Sequence, residues 1–210
     1  PDCSVTGCDW PERFRMVLPR WPSGVYIVTL TIAGHQSEHM FILRADPAQP
    51  RAKLLMLLAT GTWCAYNDWG GSNHYQGLTG PSGREFAPEV SVLRPWAKGL
   101  VRWPEDAPRI PHASPLLTRP RYPHMDYARA KGISKKYASS GWAAFERPFA
   151  LWCEAQGIAL DYLTQHDLHR DPQALAGYAR ALIVGHDEYW SWEMRDTLDA
   201  WLDAGGQLAR

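Results

Sequence analysis

The sequence predicts an α/β protein with an open, mostly parallel sheet, preceded by a short β-rich segment. Three observations carry this. Apolar runs of strand length at residues 52 to 59, 158 to 163 and 181 to 184 alternate with helix-like segments, the pattern of parallel strands joined by right-handed crossovers. Each run stops at a polar stretch, the last of them dense in ionisable groups. A β-branched hairpin signal lies ahead of all three, within residues 1 to 48.

In that first stretch, Trp21-Pro-Ser-Gly24 is turn chemistry and Val25-Tyr-Ile-Val-Thr-Leu-Thr-Ile32 is β-branched and aromatic. Gly34 marks a turn and His39-Met-Phe-Ile-Leu43 returns. Residues 1 to 48 therefore look like the end of a β-rich, sandwich-like module. Asp46-Pro-Ala-Gln-Pro50 is a linker, and residues 49 to 210 form the α/β domain.

Ala52-Lys-Leu-Leu-Met-Leu-Leu-Ala59 is continuously apolar, as a strand covered on both faces must be. A polar, Gly-rich loop from 60 to 75 follows. Residues 76 to 140 carry many prolines and few periodic runs. A helix is expected over 142 to 156, capped by Ser140, kinked at Pro148 and ended by Gly157. The second strand leads into the polar loop Gln165 to His169. A short helical segment at 172 to 178 precedes the third strand. Met194, Leu198, Trp201 and Leu202 then mark one face of an amphipathic helix, with Ser191 as its cap and Gly205-Gly206 as its stop.

Parallel strands put their exits on one rim, where open α/β sheets build sites. The densest exit is Ala181-Leu-Ile-Val-Gly-His-Asp-Glu-Tyr-Trp-Ser191. It supplies an imidazole and two carboxylates within three residues, although acidic residues at a helix entry also favour the dipole.

Bulk properties exclude several classes. The 210 residues carry 22 basic and 22 acidic side chains, so no net charge attracts nucleic acid. Four basic residues, Arg129, Lys131, Lys135 and Lys136, read as a solvated loop. No apolar run approaches the roughly 20 residues needed to span a bilayer. The chain starts at Pro1 and stops where a strand should begin, and reads as a segment of a longer protein. Cys3, Cys8, Cys64 and Cys153 are scattered, which fits a reducing compartment and a cytoplasmic location.

On the rim, a nucleophile elbow, a dinucleotide fingerprint and a Walker lysine are all missing. Cys64 with His186 is a conceivable nucleophile–base pair. His166-x-x-His169 is a weak metal signal, and the abundant tryptophans leave open an aromatic groove at Trp63, Trp69, Trp142 and Trp190 for carbohydrate or another flat ligand.

Trp21-Pro-Ser-Gly-Val-Tyr26, Ala65-Tyr-Asn-Asp-Trp-Gly-Gly-Ser72 with Tyr75, Asp167-Leu-His169, and Gly185-His-Asp-Glu-Tyr-Trp-Ser191 with Met194 occur in this order. Together they resemble the large (beta) subunit of the N,N-dimethylformamidase family, over nearly the whole segment. The resemblance implies a glutamine-amidotransferase-like or flavodoxin-like α/β catalytic domain. It also implies hydrolysis of the carbon–nitrogen bond of small amides at a mononuclear ferric iron. By motif, Glu188, Tyr66 and Tyr75 would be the metal ligands and His186 a histidine beside the metal, with His186 and Glu188 as the catalytic pair. A small amide is the implied substrate, and a small second subunit and a homo-oligomer are the implied assemblies. The dimethylformamide-hydrolysing branch has Pro where this chain has Asp187, the loop between the tyrosines is short, and the stretch from 97 to 140 is longer. Those differences leave the substrate open, and further site residues would lie past Arg210.

Overall fold

A computed structural model of the chain describes residues 3–49, 51–76, 87–107 and 123–210. They divide into two compact units, Pro1–Gly7 with Trp63–Phe145, and Cys8–Thr62 with Glu146–Arg210. In chain order the elements are α1 (Cys3–Thr6), β1 (Gly24–Ile32), β2 (His35–Leu43), β3 (Leu54–Leu58), α2 (Thr60–Tyr66), α3 (Pro123–Lys131), α4 (Glu146–Ala155), β4 (Leu160–Thr164), α5 (Gln165–Arg170), β5 (Arg180–Leu182), α6 (Trp192–Asp203) and β6 (Gln207–Ala209).

The unit that ends at Arg210 holds the sheet. Its four strands run parallel in the order β4-β3-β5-β6. Strand β3 is central, and Leu55, Met56, Leu57 and Leu58 are all fully buried, which explains why its sequence shows no alternation. One buried cluster joins Leu55 and Leu57 to Leu163, Leu168, Ile183, Met194 and Leu198. The apolar stripe of α6 faces this core, and Ser191 caps the helix by accepting from the Met194 N–H. Gly205, at φ 96°, ends it, and β6 starts two residues later.

Several local expectations change. Thr60–Tyr66 is a helix rather than a loop, so the chain leaves β3 directly into α2. The polar stretch after β4 is also helical. Thr164 and Asp167 form a reciprocal capping box that satisfies the first amides of α5. Residues 172 to 177 are successive turns instead of a helical segment. Helix α4 starts at Glu146, not at 142, which puts Pro148 in its first turn, where the missing N–H removes no helical bond and no kink is required.

The hairpin forms as expected, with β1 and β2 antiparallel from Gly24↔Leu43 to Ile32↔His35. Ala33 and Gly34 both have positive φ, the two-residue turn whose twist matches the strands. The Ser23 hydroxyl donates to Leu43 O and accepts from the Tyr162 N–H, linking the hairpin base to β4. His35 and His39 lie in β2 and are exposed.

In the other unit the proline-rich stretch from 76 to 140 lies partly outside the described residues. Its described part contains a helix that apolar periodicity did not announce, α3. Ala128, Tyr137 and Ala138 form a small core with Trp103, Tyr127 and Ile133.

Leu198→Ala should destabilise the full chain by about 3 kcal/mol, through lost burial and a cavity. Ser191→Ala should cost about 1 kcal/mol, through the lost cap. Urea unfolding followed by far-UV circular dichroism ranks the two.

Candidate metal centre

The exits of all four parallel strands are tied by one set of polar contacts. After β3, the Gly61 N–H donates to Gln165 Oε1 at 2.8 Å. Gln165 follows β4, and its Nε2 donates to Asp187 Oδ1 at 2.7 Å. Asp187 follows β5 and also accepts from Trp190 Nε1 at 2.8 Å. After β6, Arg210 sets its Nε 3.2 Å from Asp187 Oδ2, and its Nη2 donates to the Asp187 carbonyl. The Asp187 side chain is only 1% exposed. Burial pushes its carboxyl pKa up, while Arg210 and the Trp190 and Gln165 hydrogen bonds pull it back down.

This knot holds the turn that carries His186 and Glu188. The buried Thr62 hydroxyl accepts from the N–H groups of Glu188 and Tyr189, at 2.8 and 3.1 Å. The contact is close enough to demand glycine at position 61. A Cβ there would stand 2.6 Å from Tyr189 O. Beyond the clamped backbone, His186 Nε2 lies 3.1 Å from Glu188 Oε2. Their side chains are 34% and 45% exposed, so both are accessible to a ligand while Asp187 between them is not.

Tyr66 and Tyr75 belong to the other unit, where their rings pack with centroids 4.5 Å apart and planes tilted by 42°. Asn73 joins their backbones. Its Nδ2 donates to Tyr66 O at 3.1 Å and its Oδ1 accepts from the Tyr75 N–H at 2.8 Å. Asn67 accepts from the amides of Trp69 and Ala97 and donates to Pro95 O. Buried Arg94 donates to the carbonyls of Cys64, Trp69, Ser72 and Ser91. Gly70 and Gly71, both at positive φ, let the loop turn inside these contacts. Lys136, expected in a solvated loop, sits instead with its Nζ 5.3 Å from the Tyr66 ring centre and 4.7 Å from that of Tyr75. Burial lowers the Lys136 pKa, and Asp68 raises it.

The candidate ligands thus fall as two pairs, Tyr66 with Tyr75 in one unit and His186 with Glu188 in the other. Sequence reasoning missed the residues that hold them: Thr62, Gln165, Asn67, Asn73, Arg94 and Lys136. Only the Asn67 and Asn73 side chains, short polar groups flanking a Gly-Gly turn, carried a signal that could have been read.

Other candidates serve structure. Cys64 is buried, and burial pushes its thiol up to about 12, against a smaller lowering by Arg94. It stays protonated at neutral pH and is no nucleophile in this arrangement. His166 Nδ1 meets Thr60 Oγ1 at 2.7 Å, whereas His169 Nδ1 meets Ser191 Oγ at 2.8 Å, so the two histidines do not share a ligand. Trp63 and Trp142 are buried, and Trp190 is tied to Asp187, so these rings pack the interior rather than line a groove.

Among the described residues no three His, Cys, Asp or Glu side chains converge to hold a metal. The side-by-side phenols are a different donor type, and hard oxygen ligands suit a hard trivalent cation. They fit a ferric ion better than zinc.

A parallel sheet whose strand exits carry ionisable side chains defines an open-sheet α/β protein. A family model described as N,N-dimethylformamidase beta subunit-like, C-terminal, matches residues 1–210, and the chain belongs to that family. No curated protein matches it. Among the described residues no helix is long and apolar enough to cross a membrane.

Thr62→Val should leave two amides without their acceptor and cost about 2 kcal/mol, while Thr62→Ser restores stability, as read by urea unfolding. Cys64 should resist iodoacetamide at neutral pH in the native protein and react after unfolding, as peptide mass mapping will show.

Proposed function

We propose that this chain is the catalytic α/β part of an iron-dependent hydrolase that cleaves carbon–nitrogen bonds in small N-substituted amides such as formamides. The packing of Tyr66 against Tyr75 carries the metal assignment. Family membership supports the reaction class. In this reading Tyr66, Tyr75 and Glu188 hold one ferric ion. When bound, that ion supplies Lewis-acid chemistry, polarising the amide carbonyl and lowering the pKa of a water.

The protein's own groups do the rest. Two phenol oxygens and one carboxylate are hard donors that leave room for substrate and water. The His186 imidazole faces the Glu188 carboxylate, so its Nε2 can hold a proton and pass it toward the departing amine. The Thr62 and Asp187 contacts fix the backbone of that turn before substrate arrives, the preorganisation that proton transfer and ligation require.

The strand order, counted from β3, is 2-1-3-4, which supports a flavodoxin-like or glutamine-amidotransferase-like sheet with its site at the switch point. The domain division into residues 1 to 48 and 49 to 210 is part of the same proposal, with the hairpin closing a β-rich module. The beta-subunit wording of the family description supports assembly with a small second subunit and into a homo-oligomer. The four cysteines, none of them in a disulfide, fit a cytoplasmic location.

Elemental analysis of the full-length protein should find stoichiometric iron, with a visible phenolate-to-iron absorption band and hydrolysis of dimethylformamide or a related formamide. Tyr66→Phe and Glu188→Ala should lose the metal and keep the fold. His186→Ala should keep the metal and lose activity by about 10²- to 10⁴-fold. Full iron retention in Tyr66→Phe would overturn the ligand assignment.

A further inference from the structure

We propose that Lys136 is the fixed counter-charge of the tyrosine pair, a positioning residue that tunes both the affinity of the pair for a cation and the electron-donating strength of its oxygens. This rests on the reading of Tyr66 and Tyr75 as metal ligands.

One ammonium serves two rings. Its Nζ stands 5.3 Å from one ring centre and 4.7 Å from the other, within the range of cation–π attraction for both. The Lys136 backbone, from which the ammonium projects, is held in place. The Lys136 N–H donates to Ser134 Oγ at 3.0 Å, and the Lys136 carbonyl accepts from the amides of Ser139 and Ser140. A half-buried lysine held in this way is not a solvated surface charge.

Two consequences follow from charge alone. When a trivalent ion replaces the protons of two phenols, the charge at the pair rises by one unit. A positive group across both rings opposes that rise and weakens cation binding. The same group stands over the donor rings themselves. It therefore stabilises the donor electrons and holds the charge-transfer band at higher energy. Lys136 would keep the pair a moderate rather than an irreversible iron trap, and would leave the bound ion more acidic than two unscreened phenolates would.

The test uses the full-length protein with ferric iron alone as the probe, and reads the absorption band together with iron affinity by chelator competition. Lys136→Met keeps the aliphatic packing and removes the charge. It should move the band to longer wavelength and tighten iron binding on the order of tenfold. Lys136→Arg keeps the charge and should stay near the wild-type values for both. A purely structural lysine would show the reverse, with both variants losing iron in proportion to lost stability. If Lys136→Met fails to fold, Lys136→Gln replaces it in the same measurement. A Lys136→Met or Lys136→Gln protein with unchanged band and affinity overturns this proposal and leaves the tyrosine ligands standing. Wild-type protein that binds iron without any phenolate band overturns the ligand reading and this proposal with it.

Discussion

Asp187 joins the exits of four parallel strands through a single buried carboxylate. Gln165 reaches it from β4 and carries the Gly61 amide of the β3 exit, and Arg210 reaches it from the end of β6. A parallel sheet delivers its exits to one rim, but they are irregular backbone, and buried irregular backbone must find hydrogen-bond partners. Here one acceptor meets several such needs at once. The cost is the desolvation of a carboxylate, visible in its raised pKa. The offset is a guanidinium and two direct donors. With that knot in place, Thr62 can take two further amides and the His186–Glu188 turn has nowhere to relax. Apolar packing alone would hold the sheet, but it would not fix the orientation of a three-residue polar turn.

The other unit solves a similar problem with different groups. The loop from Tyr66 to Tyr75 has almost no regular structure, yet Asn67 and Asn73 are buried within it. Side-chain amides can donate and accept together, so each stitches strands of loop that have no ladder to join. Arg94 plays the same part from outside the loop, spending its donors on four carbonyls instead of on a carboxylate. The result is a rigid irregular segment that presents two phenols side by side and a lysine across them. Rigid polar scaffolding of this kind is what a site needs when its working groups sit on loops.

The two pairs differ in their chemistry. In one unit two phenol rings stand beside an ammonium. In the other an imidazole stands beside a carboxylate at the strand exits. Asp187 lies between His186 and Glu188 in sequence but is buried, and so has left the chemistry for the scaffold. Its position in the motif gave no hint of that division, because three ionisable residues in a row look equivalent until one is withdrawn from solvent. Cys64 shows the same effect in reverse. It lies in the helix that leads to Tyr66 and looks available for chemistry, but its burial keeps it a thiol.

Strand identity was legible because burial on both faces leaves an unmistakable apolar run, as at β3. Helix α6 was legible because a 3.6-residue stripe, a serine cap and a glycine stop all agree. The family motifs were legible because they are local strings. Helices α2 and α5 were not, because both are too short for a periodic stripe: α2 takes a contact at its start from the distant Gln165, and α5 rests on one local capping box inside a polar stretch. The roles of Lys136, Arg94, Asn73 and Thr62 depend on partners distant in the chain or on which backbone groups end up buried. A sequence read along its length carries local preference and periodicity. Only the folded chain decides which charge faces which ring, and which carboxylate loses its water.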